Sequence, residues 1–159
     1  MTYTLDRLAA EQQDLFLDSF DYDFAWALGA RMRDLAARKA APVAITVAHG
    51  TAVVFSVLMP GATFDNLDWT ARKRAVTHRF HRSSLAIRLE AEAAGHDFNA
   101  LFRLPEADYV ASGGGVPLIL RGGTLIGTVA VSGLPDVEDH KLVVAAIKDL
   151  LKSGASAPN

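Results

Sequence analysis

Apolar residues recur along this chain with two different periods. In YDFAWALGARMRDLAARKA, residues 22–40, Phe24, Leu28, Met32 and Leu35 stand three or four apart. Arg31, Arg33, Asp34, Arg38 and Lys39 mostly lie off that row, so the segment predicts one amphipathic helix. Asp21 or Asp23 is placed to open it. Upstream, Thr4 can cap a shorter helix ending near Gln13, and DLFLDSF after it reads as a short strand or a linker. The period then changes. PVAITVAHGTAVVFSVLMPG is β-branched, breaks at His49-Gly50 and stops at Pro60-Gly61, which predicts a hairpin. VPLILRGGTLIGTVAVSG predicts a second hairpin, turning at Arg121-Gly122-Gly123.

Between the hairpins the helical period returns. Asp65 is a candidate N-cap for a helix near Asn66, and another helix starts after Ser83 or Ser84 and ends at Gly95. HDFNALFRLPEADY fits neither period, and Pro105 breaks whatever precedes it. A last helix is predicted from about Pro135 to Lys152, with Leu142, Ala145, Ala146, Asp149 and Leu150 near its inner boundary. Two hairpins separated by helices, without strand–helix–strand alternation, predict an α+β fold with an antiparallel sheet flanked by helices.

Composition narrows the class. A chain of 159 residues, half of them hydrophobic, predicts one globular domain over 1–152 with a flexible tail at 153–159. The absence of cysteine excludes disulfides, thiolate metal sites and cysteine nucleophiles. A formal charge of −2 gives no electrostatic case for nucleic acid or anionic membranes. No signal-peptide pattern or apolar run of membrane-spanning length is visible, so a cytoplasmic location is expected.

Most of the 12 glycines fall late in the chain, with Gly113, Gly114 and Gly115 directly before the second hairpin. A phosphate loop leads from strand through glycines into a helix, and here the glycines lead into a strand and a proline. They read first as a sharp entry into the hairpin, and second as bare backbone against which a ligand could lie. Asp136, Glu138 and Asp139 crowd the first turns after Pro135, where acids stabilise a helix and repel an anion.

Several charges sit oddly. Lys73 falls on the row of Trp69, Val76 and Phe80, in the most basic stretch of the chain. Either its stem snorkels along apolar surface, or the amine enters a pocket or interface and meets an acid. Arg72 and Arg79 form the neighbouring row. His78 and His81, three apart, are at a metal-binding spacing but lack a familiar zinc pattern, so no metal is expected. Asp136, Asp139 and His140 are spaced so that a carboxylate could orient the imidazole.

Taken in order, PVAITVAHGTAVVFSVLMPG, DNLDWTARKRAV, ASGGGVPL and IGTVAVSGLPDVEDHKLVV resemble the haem-degrading-domain superfamily, also called GlcG/HbpS-like. The resemblance is greatest to a branch with a D-N-x-x-W-x-x-R-K-R helix, and it spans roughly residues 15–151. It implies a profilin-like α/β/α arrangement, a central antiparallel sheet of about five strands, and assembly into homodimers or larger homo-oligomers. It also implies a small anionic ligand, with haem a possible cofactor. Carried over by motif and position, the implied ligand-binding residues are Trp69, Arg72, Lys73, Gly113, Gly114, Gly115, Ser132, Asp139 and His140. The chain departs from the branch at HRFHRSS and at Ser112, where a histidine is common. A ligand-binding module is the leading expectation. A haem-degrading enzyme and a non-catalytic interaction protein are the alternatives.

Overall fold

A computed structural model describes residues 2–154. Ten elements follow in chain order: α1 (Leu5–Gln13), α2 (Tyr22–Arg38), β1 (Ala44–His49), β2 (Ala52–Leu58), α3 (Phe64–Phe80), α4 (Ser84–Ala94), α5 (Phe98–Phe102), β3 (Gly115–Ile119), β4 (Leu125–Ser132) and α6 (Asp136–Ser153). The strands form one antiparallel sheet in the order β2-β1-β4-β3. Each predicted hairpin is thus half of the sheet, and β1 and β4 form the seam between them. Residues 155–159 of the expected tail lie outside the described residues.

The two faces of the sheet differ because side chains alternate along each strand. Ile45 and Val47 of β1 lie opposite Val131 and Val129 of β4. They join Phe24, Leu28 and Met32 of α2 and Leu142, Val143, Ala146 and Ile147 of α6 in the main core. The opposite face carries small residues, with Ala44, Thr46 and Ala48 facing Ser132, Ala130 and Thr128. Small side chains allow close approach, and α3 packs over β1, β4 and β3 there. The result is three layers, α/β/α. Among the described residues, no helix is long and apolar enough to cross a membrane.

Several expectations are corrected. The sheet has four strands instead of about five, because DLFLDSF contributes only an isolated parallel bridge between Leu17 and Leu120. The N-cap of α3 is Thr63 and not Asp65. Thr63 Oγ1 accepts from the Asn66 amide at 3.3 Å while Asn66 Oδ1 accepts from the Thr63 amide at 2.9 Å, a reciprocal box that starts the helix earlier. In α6 the buried row includes Val143 and Ile147, whereas Ala145 is exposed and Asp149 is held at the surface by Arg31.

The short α1 is held by a buried polar contact as well as by packing of Tyr3 and Leu8 on Leu85 and Ala86. His140 Nε2 lies 2.6 Å from Glu11 Oε1, and the Tyr3 ring meets the imidazole edge-on at 5.2 Å. Burial pushes the Glu11 carboxyl up, but the hydrogen bond and charge of His140 leave it below its ordinary value. A carboxylate held low in the folded state adds stability that is complete above its ordinary value, ~4.3. That stability is lost as pH falls through the lowered value. Glu11→Ala should lower stability at pH 7 by about 1–3 kcal/mol and flatten the acid side of the stability profile. Urea melts at neutral and acid pH measure this; an equal loss at both would show that Glu11 ionisation is not responsible.

Candidate functional site

Thr70, Lys73 and Thr77 are buried positions of α3 at helical spacing, which carries the lysine inward at 2% exposure. Lys73 Nζ donates to the Val131 carbonyl at 3.0 Å and to Asp139 Oδ2 at 3.0 Å. Asp139 is itself only 1% exposed. The turn between β4 and α6 wraps this carboxylate: the Leu134 amide donates to Oδ1 at 3.0 Å and the Gly133 amide to Oδ2 at 3.3 Å. Burial lowers the Lys73 ammonium and raises the Asp139 carboxyl, each shift opposed by the partner's charge. Of the two roles open to Lys73, the geometry realises the second: the amine enters the interior and meets an acid of its own chain.

The glycine loop closes over this pair. Gly114 adopts φ +129°, and a Cβ there would come within 2.3 Å of the Val131 carbonyl oxygen and 2.9 Å of Lys73 Nζ. Only glycine permits both the conformation and the approach. The neighbouring amides are already engaged. Gly113 N–H donates to Asp136 Oδ2 at 2.9 Å, and Gly115 N–H donates to Ser84 Oγ at 2.8 Å. Arg88 grips the same Asp136 through Nε at 2.6 Å and Nη2 at 3.2 Å. The loop is therefore a close-packed entry to β3, with two of its three amides bound to side chains.

A pocket of about 270 Å³ opens over the ion pair. Trp69, Lys73, Ser132 and Asp139 line it, together with Asn66, Ser112 and Asp136, which were not among the expected ligand residues. Each acid in the wall has its own cation, Lys73 for Asp139 and Arg88 for Asp136. The lining is consequently polar but close to neutral. Arg88 and Asp136 stand 48 residues apart, so no spacing in the sequence links them.

Arg72 and His140 lie elsewhere. The Arg72 guanidinium stacks on the Trp69 ring at 4.5 Å, with Nε 3.0 Å from Asp68 Oδ2, behind the tryptophan and outside the pocket lining. His140 follows Asp139 by one residue, which turns it about 100° round the helix. It binds Glu11, so neither Asp136 nor Asp139 orients the imidazole. His78 and His81 do not share a face either. The helix ends at Phe80, and His81 takes the left-handed cap conformation. Among the described residues, no three histidine, aspartate or glutamate side chains cluster to hold a metal ion.

A second groove, of about 240 Å³, runs along the outer side of α3 past Arg74, His78, Arg79 and Tyr109. Arg74 Nε donates to Thr46 Oγ1 at 3.0 Å, and the Arg79 guanidinium lies 5.9 Å from the Tyr109 ring centre. His78 is exposed and makes no hydrogen bond, ion pair or ring contact among the described residues.

A UPF0303 protein of Streptomyces avermitilis is 41% identical to this chain over 148 residues, covering 93% of this chain and 91% of that protein. One from Rhizobium rhizogenes is 43% identical over 145 residues, covering 90% and 88%. Among solved structures, the Ybr137w protein shares the fold with a TM-score of 0.89 at 24% identity, over 98% of this chain and 91% of that one. A PduOC:heme complex does so at 0.71 and 18% identity over 81% and 93%, and HbpS at 0.67 and 15% over 84% and 90%. The family described as haem degrading protein HbpS-like matches residues 20–148, and the chain belongs to that family.

Proposed function

We propose that this protein binds a small ligand in the pocket over Lys73 and Asp139. The observation that carries the reading is an ammonium at 2% exposure that nevertheless lines an open cavity. Two of its three donors are engaged. Around it, Asn66, Ser112 and Ser132 offer further donors and acceptors, and Trp69 offers an aromatic wall. The neutral lining suits a small polar molecule with at most one negative charge. A volume of about 270 Å³ lies below the usual ~300–1,000 Å³ of drug-sized sites, which also favours a small ligand.

Haem is the group that the family name and the PduOC:heme neighbour bring forward. Haem iron takes an imidazole, thiolate, thioether or phenolate as axial ligand. The Lys73 pocket offers none, and His140 is committed to Glu11. Those residues do not fit haem. The outer groove offers the ligand types that the pocket lacks, the His78 imidazole with Arg74 and Arg79 flanking it as partners for propionates, but at about 240 Å³ it could seat only an edge of the macrocycle. Bound there, haem would supply the redox-active iron that a haem-degrading activity needs, with His78 holding it and the arginines orienting it.

Self-association is the third part of the reading. β2 is an edge strand with Val53 49% and Leu58 36% exposed. Beside it, Trp26 is 68% exposed and meets the Phe55 ring at 5.6 Å, next to a groove of about 540 Å³. An unpaired edge with apolar neighbours is a template for a second copy. Lys73 plays no part in that interface, because its partners are in its own chain.

Three measurements test these readings. The chain has two tryptophans, so Trp26→Phe leaves Trp69 as the sole reporter in the pocket. Pyruvate, acetate and glycolaldehyde should be titrated against its fluorescence. At least one should give a saturable change, weakened about tenfold or more, 1.4 kcal/mol, by Ser112→Phe; no response to any would reject the pocket. Haem titration should develop a Soret shift that His78→Ala weakens at least ~tenfold and Ser112→Phe leaves intact, and the reverse pattern would sink the groove assignment. Sedimentation should find wild type larger than its 17.0 kDa chain mass and Trp26→Glu shifted towards it. A wild-type monomer would end that reading.

A further inference from the structure

We propose that Lys73 is a covalent capture site for carbonyl compounds: its amine condenses with a small aldehyde or ketone held in the pocket and forms an imine. The inference rests on the pocket being a ligand site, and it adds the ligand's chemical class and the reaction.

The buried pair holds α3 against β4 and α6, yet holding the layers together does not by itself call for an amine that lines a cavity. Asp139 already accepts hydrogen bonds from two backbone amides, and the lysine is the largest fully buried side chain of the described residues. Replacing a buried ion pair by apolar groups is often neutral or stabilising, so such a pair is weak evidence of a purely structural role. Three features around Nζ suit nucleophilic chemistry. The amine lines a cavity large enough for a molecule of a few carbons. Asp139 Oδ2, 3.0 Å away, is placed to take and return protons. Ser112, Ser132 and Asn66 stand in the same wall, able to hydrogen-bond a carbonyl or hydroxyl oxygen. Gly114 keeps the space beside Nζ clear, since any Cβ there would lie 2.9 Å from the nitrogen. Burial shifts both members of the pair towards their neutral forms, which favours a free amine.

The step balances without a co-reactant. Lys73 gives one proton to Asp139, and its lone pair attacks the carbonyl carbon. The C=O π pair moves to oxygen, which takes the proton from Asp139. The nitrogen then yields a second proton to Asp139, which passes it to the hydroxyl. Water leaves as the nitrogen lone pair closes the C=N bond. The product is a protonated imine beside an ionised Asp139, so the buried site holds the same charges before and after. Nothing is oxidised or reduced.

The test uses the full chain with pyruvate or glyoxylate and cyanoborohydride, which reduces an imine to a stable amine. The sequence has five lysines, and Lys39, Lys141, Lys148 and Lys152 act as internal controls. Intact mass should report one saturable adduct per chain, and peptide mapping should place it on Lys73 before any other lysine. Asp139→Asn should slow adduct formation by roughly 10²-fold or more. Lys73→Arg keeps a cation for Asp139 but cannot form an imine. It should lose the adduct while the surface lysines label as in wild type. A saturable Trp69 response with no Lys73 adduct would overturn the covalent step while leaving the ligand pocket standing. Labelling spread over the surface lysines in step with their exposure would overturn it as well. Absence of both response and adduct would overturn pocket and chemistry together.

Discussion

The contact between Lys73 and Asp139 ties this molecule together where its layers meet. Removing two charges from water costs several kcal/mol per ion after relaxation. That is offset only if every lone pair and proton finds a partner. Here the Val131 carbonyl of β4, the turn amides of Gly133 and Leu134, and the two side chains meet most of that need within a single cluster, leaving one Lys73 donor toward the pocket. α3, β4 and α6 are fixed relative to each other by that cluster, and the glycine loop must be bare to cover it. The arrangement is demanding: loss of either charge would leave the other stranded in the interior.

The two faces of the sheet divide the work. One is dry, with valines and isoleucines interlocked against α2 and α6. The other is built from alanine, threonine and serine, close enough to α3 for polar side chains to span the layers. Chemistry-bearing residues collect on the second face. The Lys73 pocket lies at one place along α3, and the groove of His78, Arg74 and Arg79 at another. One helix therefore presents an amine on its inner side and an imidazole on its outer side, with no shared environment.

Much of this was legible in the sequence because it is local. Thr4 and Asp21 cap their helices, Ser83 and Gly95 bound α4, and both hairpins turn where glycine interrupts the β-branched runs. The oddness of Lys73 on an apolar row was also visible. What could not be read is what meets across distance. Asp139 is 66 residues from Lys73, and Glu11 is 129 from His140. Adjacent positions 139 and 140 diverge because a helix turns between them, so a motif that groups them in sequence separates them in space. The same geometry assigns the acids after Pro135 different partners: Asp136 takes Arg88 and the Gly113 amide, while Asp139 takes Lys73. The fifth strand was implied by the family resemblance alone, and DLFLDSF, readable as strand or linker, has only one residue with a neighbour to pair with.

The strand order has a consequence for how the chain must assemble. Each hairpin closes locally, but the seam pairs Ala44 with Ser132 and His49 with Gly127, across the whole excursion through α3, α4 and α5. Non-local pairing of this kind slows folding, because the loop-closure entropy must be met before the contacts reward it. Lys73 emerges midway through that excursion, while Asp139 belongs to the last helix. The lysine can therefore be fully desolvated beside its partners only once α3, β4 and α6 have all come together.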